Sequence, residues 1–232
     1  MMNFLIRNRR LMLILFLIGV TGKFSFSQQE NSKSGNFSLY STGLSIGWYN
    51  PALDYWKNES EFRDADFKGA IDANAFLNIK IISDLHGQIG LGYWQESVEY
   101  DLQGFGNTTL LLTGIPISLD FQYRIEPLKF SVVTPFLGAG GEFLFLQNKL
   151  IFDLNDDPAP QSGSTMMGHA IAGFETRLSD QFAVDFEFQY KFGNYKQDFK
   201  IENPDNPDDI KIVTETISLN GPKVAITLKY LL

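Results

Sequence analysis

The chain has 232 residues, with 27 acidic and 19 basic side chains, a formal net charge of −8 and no cysteine. The lack of cysteine excludes a disulfide framework. The excess of acidic side chains argues against a nucleic-acid partner, because nucleic acids bind to basic protein surfaces. Glycine and phenylalanine are both abundant, at 20 and 21 copies. This composition favours an all-β chain with small interior positions and an aromatic exterior.

Residues 1–27 have the pattern of a secretory signal peptide. Arg7, Arg9 and Arg10 precede an apolar run over residues 11–20, and Ser25-Phe26-Ser27 predicts a cut ahead of Gln28. The apolar run is shorter than the roughly 20 residues of a transmembrane helix, so cleavage is favoured over anchoring. The segment holds four of the 19 bases, the fourth being Lys23, and no acid. The mature chain therefore has 15 bases, 27 acids and a net charge of −12, which argues against electrostatic docking on anionic lipid.

Eight segments of alternating apolar and polar residues follow in the mature chain. They run over about 37–49, 70–81, 85–98, 109–123, 129–146, 165–178, 182–192 and 210–232, the last with a bend at Gly221-Pro222. The clearest segment is FAVDFEFQYKF at 182–192, in which every even position is large and apolar. Strict alternation is the period of a β-strand, because successive side chains point to opposite faces. In the first segment, the same rule places Tyr40 on the apolar face with Leu44, Ile46 and Trp48.

The connections between segments alternate in length. Those at 82–84, 124–128 and 179–181 are short, whereas those at 50–69, 99–108, 147–164 and 194–209 are long and polar. Short turns at one end and long loops at the other are typical of outer-membrane barrels.

The apolar faces of such strands can meet either a soluble core or lipid. A soluble barrel points its apolar face inward, whereas a membrane barrel points it outward. Here the polar faces also carry the glycines and serines, and the bulky residues would overfill an eight-strand interior. The segments match the roughly 9–11 residues that cross a bilayer at a tilt. Aromatic residues cluster near the segment ends, as in interfacial girdles: Trp48, Tyr49, Tyr93, Trp94, Phe121, Tyr123, Tyr190, Phe192 and Tyr230.

We therefore predict an all-β, eight-stranded antiparallel transmembrane β-barrel with short periplasmic turns and long extracellular loops. The expected organisation is a signal peptide at 1–27, a short N-terminal segment at 28–36 and an outer-membrane barrel domain at 37–232.

Three runs and the terminal strand resemble the small outer-membrane β-barrel proteins of Bacteroidetes-type bacteria, the OmpA/OmpX-like or PorT-like barrels. The runs are TGIPISLDFQYRI (113–125), TPFLGAGGEFLF (134–145) and AGFETRLSDQFAVDFEFQYKF (172–192). The resemblance covers about 37–232 and implies a Gram-negative outer membrane, contact with lipid and lipopolysaccharide, and recognition of the last strand by the barrel-assembly machinery. That strand ends at Leu232 rather than at the aromatic residue usual in the family, with Tyr230 two positions earlier.

Charged residues on the polar faces form the candidate site. We expect a polar network in the lumen, which consists of Asp72, Lys80, Glu142, Glu175, Arg177, Asp185, Glu187, Lys191 and Lys229. Its functional interpretation is a selectivity lining or a proton path. A structural plug of salt bridges is favoured, because eight strands leave no aqueous channel.

The two histidines, His86 and His169, raise the hypothesis of a lipid A-modifying barrel enzyme. Neither lies in a motif that supplies a serine nucleophile and an orienting acid, so we expect no catalytic residue, cofactor or metal. The predicted function is a non-enzymatic structural or surface-interaction role. The alternatives are a transport or secretion accessory, including a narrow pore, and less favourably the enzyme.

Overall fold

The structure, a computed structural model, describes residues 37–58, 65–102, 106–125, 132–152, 159–203 and 206–232. The predicted signal peptide and the segment at 28–36 lie outside these residues and stay predictions. The strands are β1 (Ser38–Tyr49), β2 (Ala70–Lys80), β3 (Leu85–Leu102), β4 (Gly106–Arg124), β5 (Val133–Phe152), β6 (Gln161–Arg177), β7 (Phe182–Phe192), β8 (Asn194–Asn203), β9 (Asn206–Ser218) and β10 (Gly221–Leu231), with one short helix, α1 (Asp54–Asn58). Among the helices of the described segments, none is long and apolar enough to cross a membrane.

Eight of the strands close into an antiparallel barrel in the order β1-β10-β7-β6-β5-β4-β3-β2. The ring closes where the first strand pairs with the last, for example Ile46 with Ile226. Closure satisfies the backbone hydrogen bonds at both edges of the sheet, which a hydrocarbon environment requires. The eight-stranded antiparallel barrel predicted from the alternation is confirmed.

The alternation separates the outside of the barrel from the inside. On β7, Phe186 and Phe188 are 42% and 48% exposed, whereas Asp185 between Val184 and Phe186 is only 1% exposed. The apolar faces of the other ring strands also point outward, with exposed Leu44, Ile46, Ile89, Ile117, Leu119, Phe121, Leu137, Phe145, Phe174, Val224, Ile226 and Leu228. This continuous apolar exterior identifies a barrel whose surrounding medium is lipid.

Aromatic residues mark the two ends of this apolar exterior. Trp48 and Tyr190 are exposed at the end that bears the long connections, whereas Tyr123 and Tyr230 are exposed at the short-turn end. Two of the aromatics predicted for these girdles, Tyr49 and Trp94, are instead fully buried. They point inward because their positions belong to the inner face of β1 and β3.

Glycines make room inside the barrel for a few large side chains. A Cβ at Gly114 would lie 2.2 Å from the Trp94 ring, and a Cβ at Gly173 would lie 2.6 Å from the Phe136 ring. Trp94 and Phe136 are 0% and 1% exposed. The lumen is therefore filled by pairing large residues with glycines on neighbouring strands, as in other small barrels.

We expect Gly114→Ala to lower the free energy of unfolding by about 1–3 kcal/mol, because the buried Trp94 ring has no room to retreat. Gly141→Ala is the matched control, since its Cβ would meet only the Met167 carbonyl oxygen at 3.4 Å. The control should be neutral or slightly stabilising. Urea unfolding of the refolded barrel measures both changes, and equal midpoints for the two variants would contradict this packing.

Three of the four long connections, at 99–108, 147–164 and 194–209, are largely strand in their described residues, which corrects the sequence analysis, whereas the described residues of 50–69 form α1 and coil. β3 continues to Leu102 and β4 begins at Gly106, so both strands extend into the predicted loop at 99–108. Likewise, β5 continues to Phe152 and β6 begins at Gln161. Within the described residues, β3 pairs with β2 only as far as Gln95, and β6 pairs with β7 only from Gly168. Beyond these points β3–β6 rise out of the ring as a four-stranded sheet.

The predicted upper part of the last strand is also wrong. Residues 210–218 belong to β9, which pairs with β8 in a separate two-stranded hairpin. The predicted loop at 194–209 contains β8 and the start of β9. The hairpin packs beside the ring instead: Tyr195, Ile217 and the following Leu219 are buried in one apolar cluster with side chains of the four-stranded sheet and of α1. Burial of this apolar surface favours the position.

Together the hairpin, the helix and the raised sheet enclose an apolar core at this end, which we call the cap core. Its buried members are Tyr49, Leu53, Trp56, Ala70, Trp94, Val98, Tyr100, Leu110, Leu112, Leu144, Leu146, Met167, Tyr195, Ile217 and Leu219. The cap core covers the long-connection end of the lumen.

Candidate functional site

The structure brings most of the predicted network together inside the barrel. Asp72, Glu142, Glu175, Asp185 and Lys191 are all at most 4% exposed. Glu187 is half-buried and lines a central cavity. Lys80 is half-buried and Arg177 is exposed; both lie at the short-turn end of the lumen rather than within it.

The charges nearest the short-turn end form the first of two ion-pair clusters. Arg124 Nη1 lies 2.7 Å from Glu175 Oε1, and Lys229 Nζ lies 3.3 Å from Glu175 Oε2. Lys229 also pairs with Asp185. The four side chains come from β4, β6, β7 and β10, so the cluster connects strands on different sides of the lumen. Because the charges are buried, each must keep its partners to avoid the cost of an unpaired ion.

Tyr40 joins this cluster, which corrects its predicted place on the apolar exterior. A register shift between β1 and β2 lies at Leu39/Ser41, and such a bulge interrupts the alternation of faces. The Tyr40 hydroxyl donates to Glu175 Oε1 at 3.0 Å and accepts from Arg177 at 3.4 Å. Its ring lies 4.8 Å from the Arg124 guanidinium. Alternation alone could not assign Tyr40 to the inner face, because the bulge shifts the inside–outside pattern by one residue.

A second ion-pair cluster lies nearer the cap core. Lys191 Nζ is 2.8 Å from Glu142 Oε2 and 4.0 Å from Asp72 Oδ2. Lys223 donates to Asp72 Oδ1. The Lys191 ammonium also lies 4.8 Å from the centre of the Tyr49 ring, within the range of a cation–π contact. This cluster closes the lumen directly below the cap core.

Between the two clusters lies an imidazole–carboxylate pair. His169 Nε2 and Asp120 Oδ1 are 2.7 Å apart, and both side chains are buried. Gln88 Nε2 donates to Asp120 Oδ2 at 3.3 Å. The cavity beside this pair measures about 20 Å³, which is room for one or two water molecules.

The other histidine has a different environment. His86 is 2% exposed, and its ring packs edge-on against Tyr40 at a centroid distance of 4.5 Å. Both histidines thus face the interior of the barrel. Within the described segments, no group of three histidine, cysteine, aspartate or glutamate side chains could hold a metal ion.

Sequence reasoning missed two of the four buried bases of the network, Arg124 and Lys223. Arg124 was assigned to a turn, although it ends β4, and Lys223 was not assigned to the lumen. The sequence could have placed Lys223 in the lumen, because it lies an even number of residues before Lys229 on the last strand and therefore points to the same, inward face. A second signal was the count of inward acids, which requires buried bases to balance it.

The sequence matches no protein family and no curated protein. Among solved structures, the chain is similar to the outer membrane protein OprG from Pseudomonas aeruginosa, with 13% identity, a TM-score of 0.58, and coverage of 85% of this chain and 98% of that chain. It is also similar to a major outer membrane protein from Thermus thermophilus, with 10% identity, a TM-score of 0.50, and coverage of 83% of this chain and 99% of that chain. At these identities the likeness concerns the fold.

The fold and the surface lead to one conclusion. The ring has the architecture of bacterial outer-membrane barrels, and its exterior is apolar around the whole circumference. Its polar and charged side chains are turned into the lumen, the reverse of a soluble protein. The chain is a bacterial outer-membrane β-barrel.

Proposed function

We propose that this protein is a closed, non-conducting and non-enzymatic outer-membrane barrel with a structural or surface-interaction role. The observation that carries the proposal is the filled lumen. Two buried ion-pair clusters span it, centred on Glu175 and on Lys191, and the cavity between them measures about 20 Å³. A hydrated ion or a solute would have to break several buried ion pairs to pass.

The cap core supports the same conclusion independently. Trp94, Leu112 and Leu144 are each 0% exposed and lie above the second ion-pair cluster. The lumen is thus sealed twice along its axis, first by charges and then by apolar packing. A narrow pore would need an opening through both layers.

The part beyond the ring is built as a fixed surface. Asn148 on β5 donates to Gln197 on β8, which in turn donates to Gln161 on β6. The backbone N–H of Ser218 donates to the Asp54 carboxylate at 2.8 Å, which connects the hairpin to α1. These contacts hold the hairpin in one orientation and support a role in presenting a surface to partners outside the cell.

Three expectations from the sequence resemblance form part of this proposal. They are membership of the OmpA/OmpX-like or PorT-like barrels of Bacteroidetes-type bacteria, contact with lipopolysaccharide, and recognition by the barrel-assembly machinery. They rest on the sequence resemblance around residues 113–125, 134–145 and 172–192.

Planar-bilayer recording tests the closed state. We expect the refolded wild-type protein to show no discrete conductance steps, because neither the ion pairs nor the cap core leave an aqueous path. A variant that lacks the hairpin, residues 194–219, should also stay closed, because the ion-pair clusters remain. Stepwise currents from the wild-type protein at neutral pH would refute the proposal and favour the narrow-pore alternative.

The enzyme alternative has its own test. His86→Asn and His169→Asn, expressed separately, should leave the lipid A of the host unchanged, because both imidazoles face the barrel interior. Mass spectrometry of lipid A from cells with and without the wild-type protein provides the comparison. A modification that depends on either histidine would overturn the non-enzymatic role.

A further inference from the structure

The hairpin of β8 and β9 has an outer strand edge with unpaired backbone groups. On its inner side β9 pairs with β8, and Leu219, which follows β9, donates its N–H to the Gly193 carbonyl at 2.9 Å. In an antiparallel pair, residues that bond to the neighbouring strand alternate with residues whose N–H and C=O point away from it. The odd positions of β9 therefore bond to β8, and the even ones, Ile212, Thr214 and Thr216, present their backbone groups at the outer edge.

The segment after β1 covers the base of this edge and then turns away from it. Ala52 donates its N–H to the Asn220 carbonyl at 2.7 Å, and the next N–H, of Leu53, bonds to the Ser218 carbonyl at 2.9 Å. Leu53 has a φ of 49°, a left-handed conformation that is uncommon outside glycine, and α1 begins at the next residue. From Ser218 toward the tip of the hairpin, the described residues provide no backbone partner for the outward groups of β9.

The composition of this edge favours pairing with another strand. Four of the five residues at 212–216 are β-branched, and the three edge residues are exposed. Proteins commonly protect open edges with charged side chains, proline or bulges. The segment has no proline and no register shift, and its one charged side chain, Glu215, is half-buried on the inner face. By contrast, β3 exposes Glu99 and Asp101 where it extends beyond its pairing with β2.

We propose that the outer edge of β9 at residues 212–216 binds an extended segment of a partner protein outside the cell, which joins the hairpin as a third strand. This strand addition rests on the surface-interaction role proposed above and names the class of partner. The outward N–H and C=O groups form the main-chain hydrogen bonds that give such complexes their affinity. Opposite Glu215, the segment would carry lysine or arginine, because opposite charges stabilise cross-strand pairs.

A second copy of this chain fits the edge less well than a different partner. β9 leads into β10, which is a strand of the membrane-spanning ring. Two copies in one membrane share their orientation, so their β9 strands keep the same direction relative to the membrane. Antiparallel pairing of two equivalent edges requires opposite directions, which disfavours a dimer through this edge.

Peptide binding to the full barrel refolded in detergent tests the proposal. The probe is a fluorescent, soluble peptide of threonine–valine repeats flanked by lysines, and fluorescence anisotropy should show saturable binding. Thr214→Pro should weaken binding at least about tenfold, because proline removes an outward N–H and is tolerated at an edge that faces solvent. Thr214→Val is the matched control. It also removes the hydroxyl that donates to Asp198, but it keeps the N–H and should bind like the wild type.

Two further measurements leave the barrel unchanged. A peptide methylated on all its backbone nitrogens has no donor on either edge and should not bind. Amide hydrogen exchange then locates the contact, since exchange reports which N–H groups are protected. The N–H groups of Ile212, Thr214 and Thr216 should exchange rapidly in the free protein and slowly with the first peptide bound.

Four outcomes would overturn the proposal. Equal binding to the wild type and to Thr214→Pro, or no saturable binding, would show that the edge does not take a strand. Protection of the three N–H groups in the free monomer would show that the chain itself covers the edge. A dimer in sedimentation that Thr214→Pro dissociates would identify a second copy as the occupant. Planar-bilayer recording tests the closed barrel separately, because strand addition to β9 does not alter the lumen.

Discussion

Replacement of Lys229 by methionine should lower the free energy of unfolding by about 3–5 kcal/mol, the cost of leaving buried charges without a partner. Lys229 is 0% exposed, lies 3.3 Å from Glu175 and also pairs with Asp185. Glu175 keeps Arg124 at 2.7 Å in the variant, whereas Asp185 has no other ion pair in the described residues. The loss of stability should therefore come mainly from the Asp185 carboxylate, which is left without an ion pair. Urea unfolding in phospholipid vesicles measures it.

Two further variants separate this cause from a general loss of packing. Lys229→Met combined with Asp185→Asn should recover a large part of the stability, because the stranded charge is removed. Lys68→Met is the exposed control: Lys68 pairs with Asp66 at 3.3 Å, but the side chains are 78% and 73% exposed. Such a surface pair contributes at most about 1 kcal/mol. If Lys229→Met were as mild as Lys68→Met, the lumen would be hydrated and the ionic plug would be wrong.

Phe186→Arg should cost about 2–4 kcal/mol in a lipid bilayer, because an arginine at the midplane of the outer wall faces hydrocarbon. Phe186 lies at the middle of β7, is 42% exposed and stacks on Phe174 at 5.1 Å between ring centroids. In a soluble protein, a charge at so exposed a position would cost little. The loss of stability in this variant therefore reports on the medium around the barrel as well as on the lost contact with Phe174.

Ile212→Arg is the matched control for this test. Ile212 is 61% exposed, but it lies on β9, which is outside the ring. An exposed substitution in water should change the stability by no more than about 0.5 kcal/mol. Equal and small effects of the two substitutions, measured by urea unfolding in vesicles, would show that the apolar exterior does not contact lipid.

The local sequence was sufficient to predict the ring strands and their faces. In residues 182–192, the alternation placed Phe186 and Phe188 outside and Asp185 inside, as the structure has them. The prediction succeeds because the side-chain period of a strand is two, and because lipid and lumen accept opposite kinds of side chain. The same rule identified six of the buried charges, which are Asp72, Glu142, Glu175, Asp185, Lys191 and Lys229.

The tertiary structure decided what alternation leaves open. Residues 210–218 alternate like a barrel strand, but they pair with β8 outside the ring, because a period of two does not specify which strand is the neighbour. Tyr40 faces the lumen through a bulge that depends on the register with β2.

The tertiary structure also decided which of the buried charges pair with one another. Lys229 meets Glu175 and Asp185 because closure of the ring sets the stagger of β10 against β7 and β6. The sequence by itself determined which residues of the regular strands face inward, whereas Tyr40 at the bulge escaped it. Only the closed barrel determined which of them meet, since contacts across a lumen depend on the register of all eight strands at once.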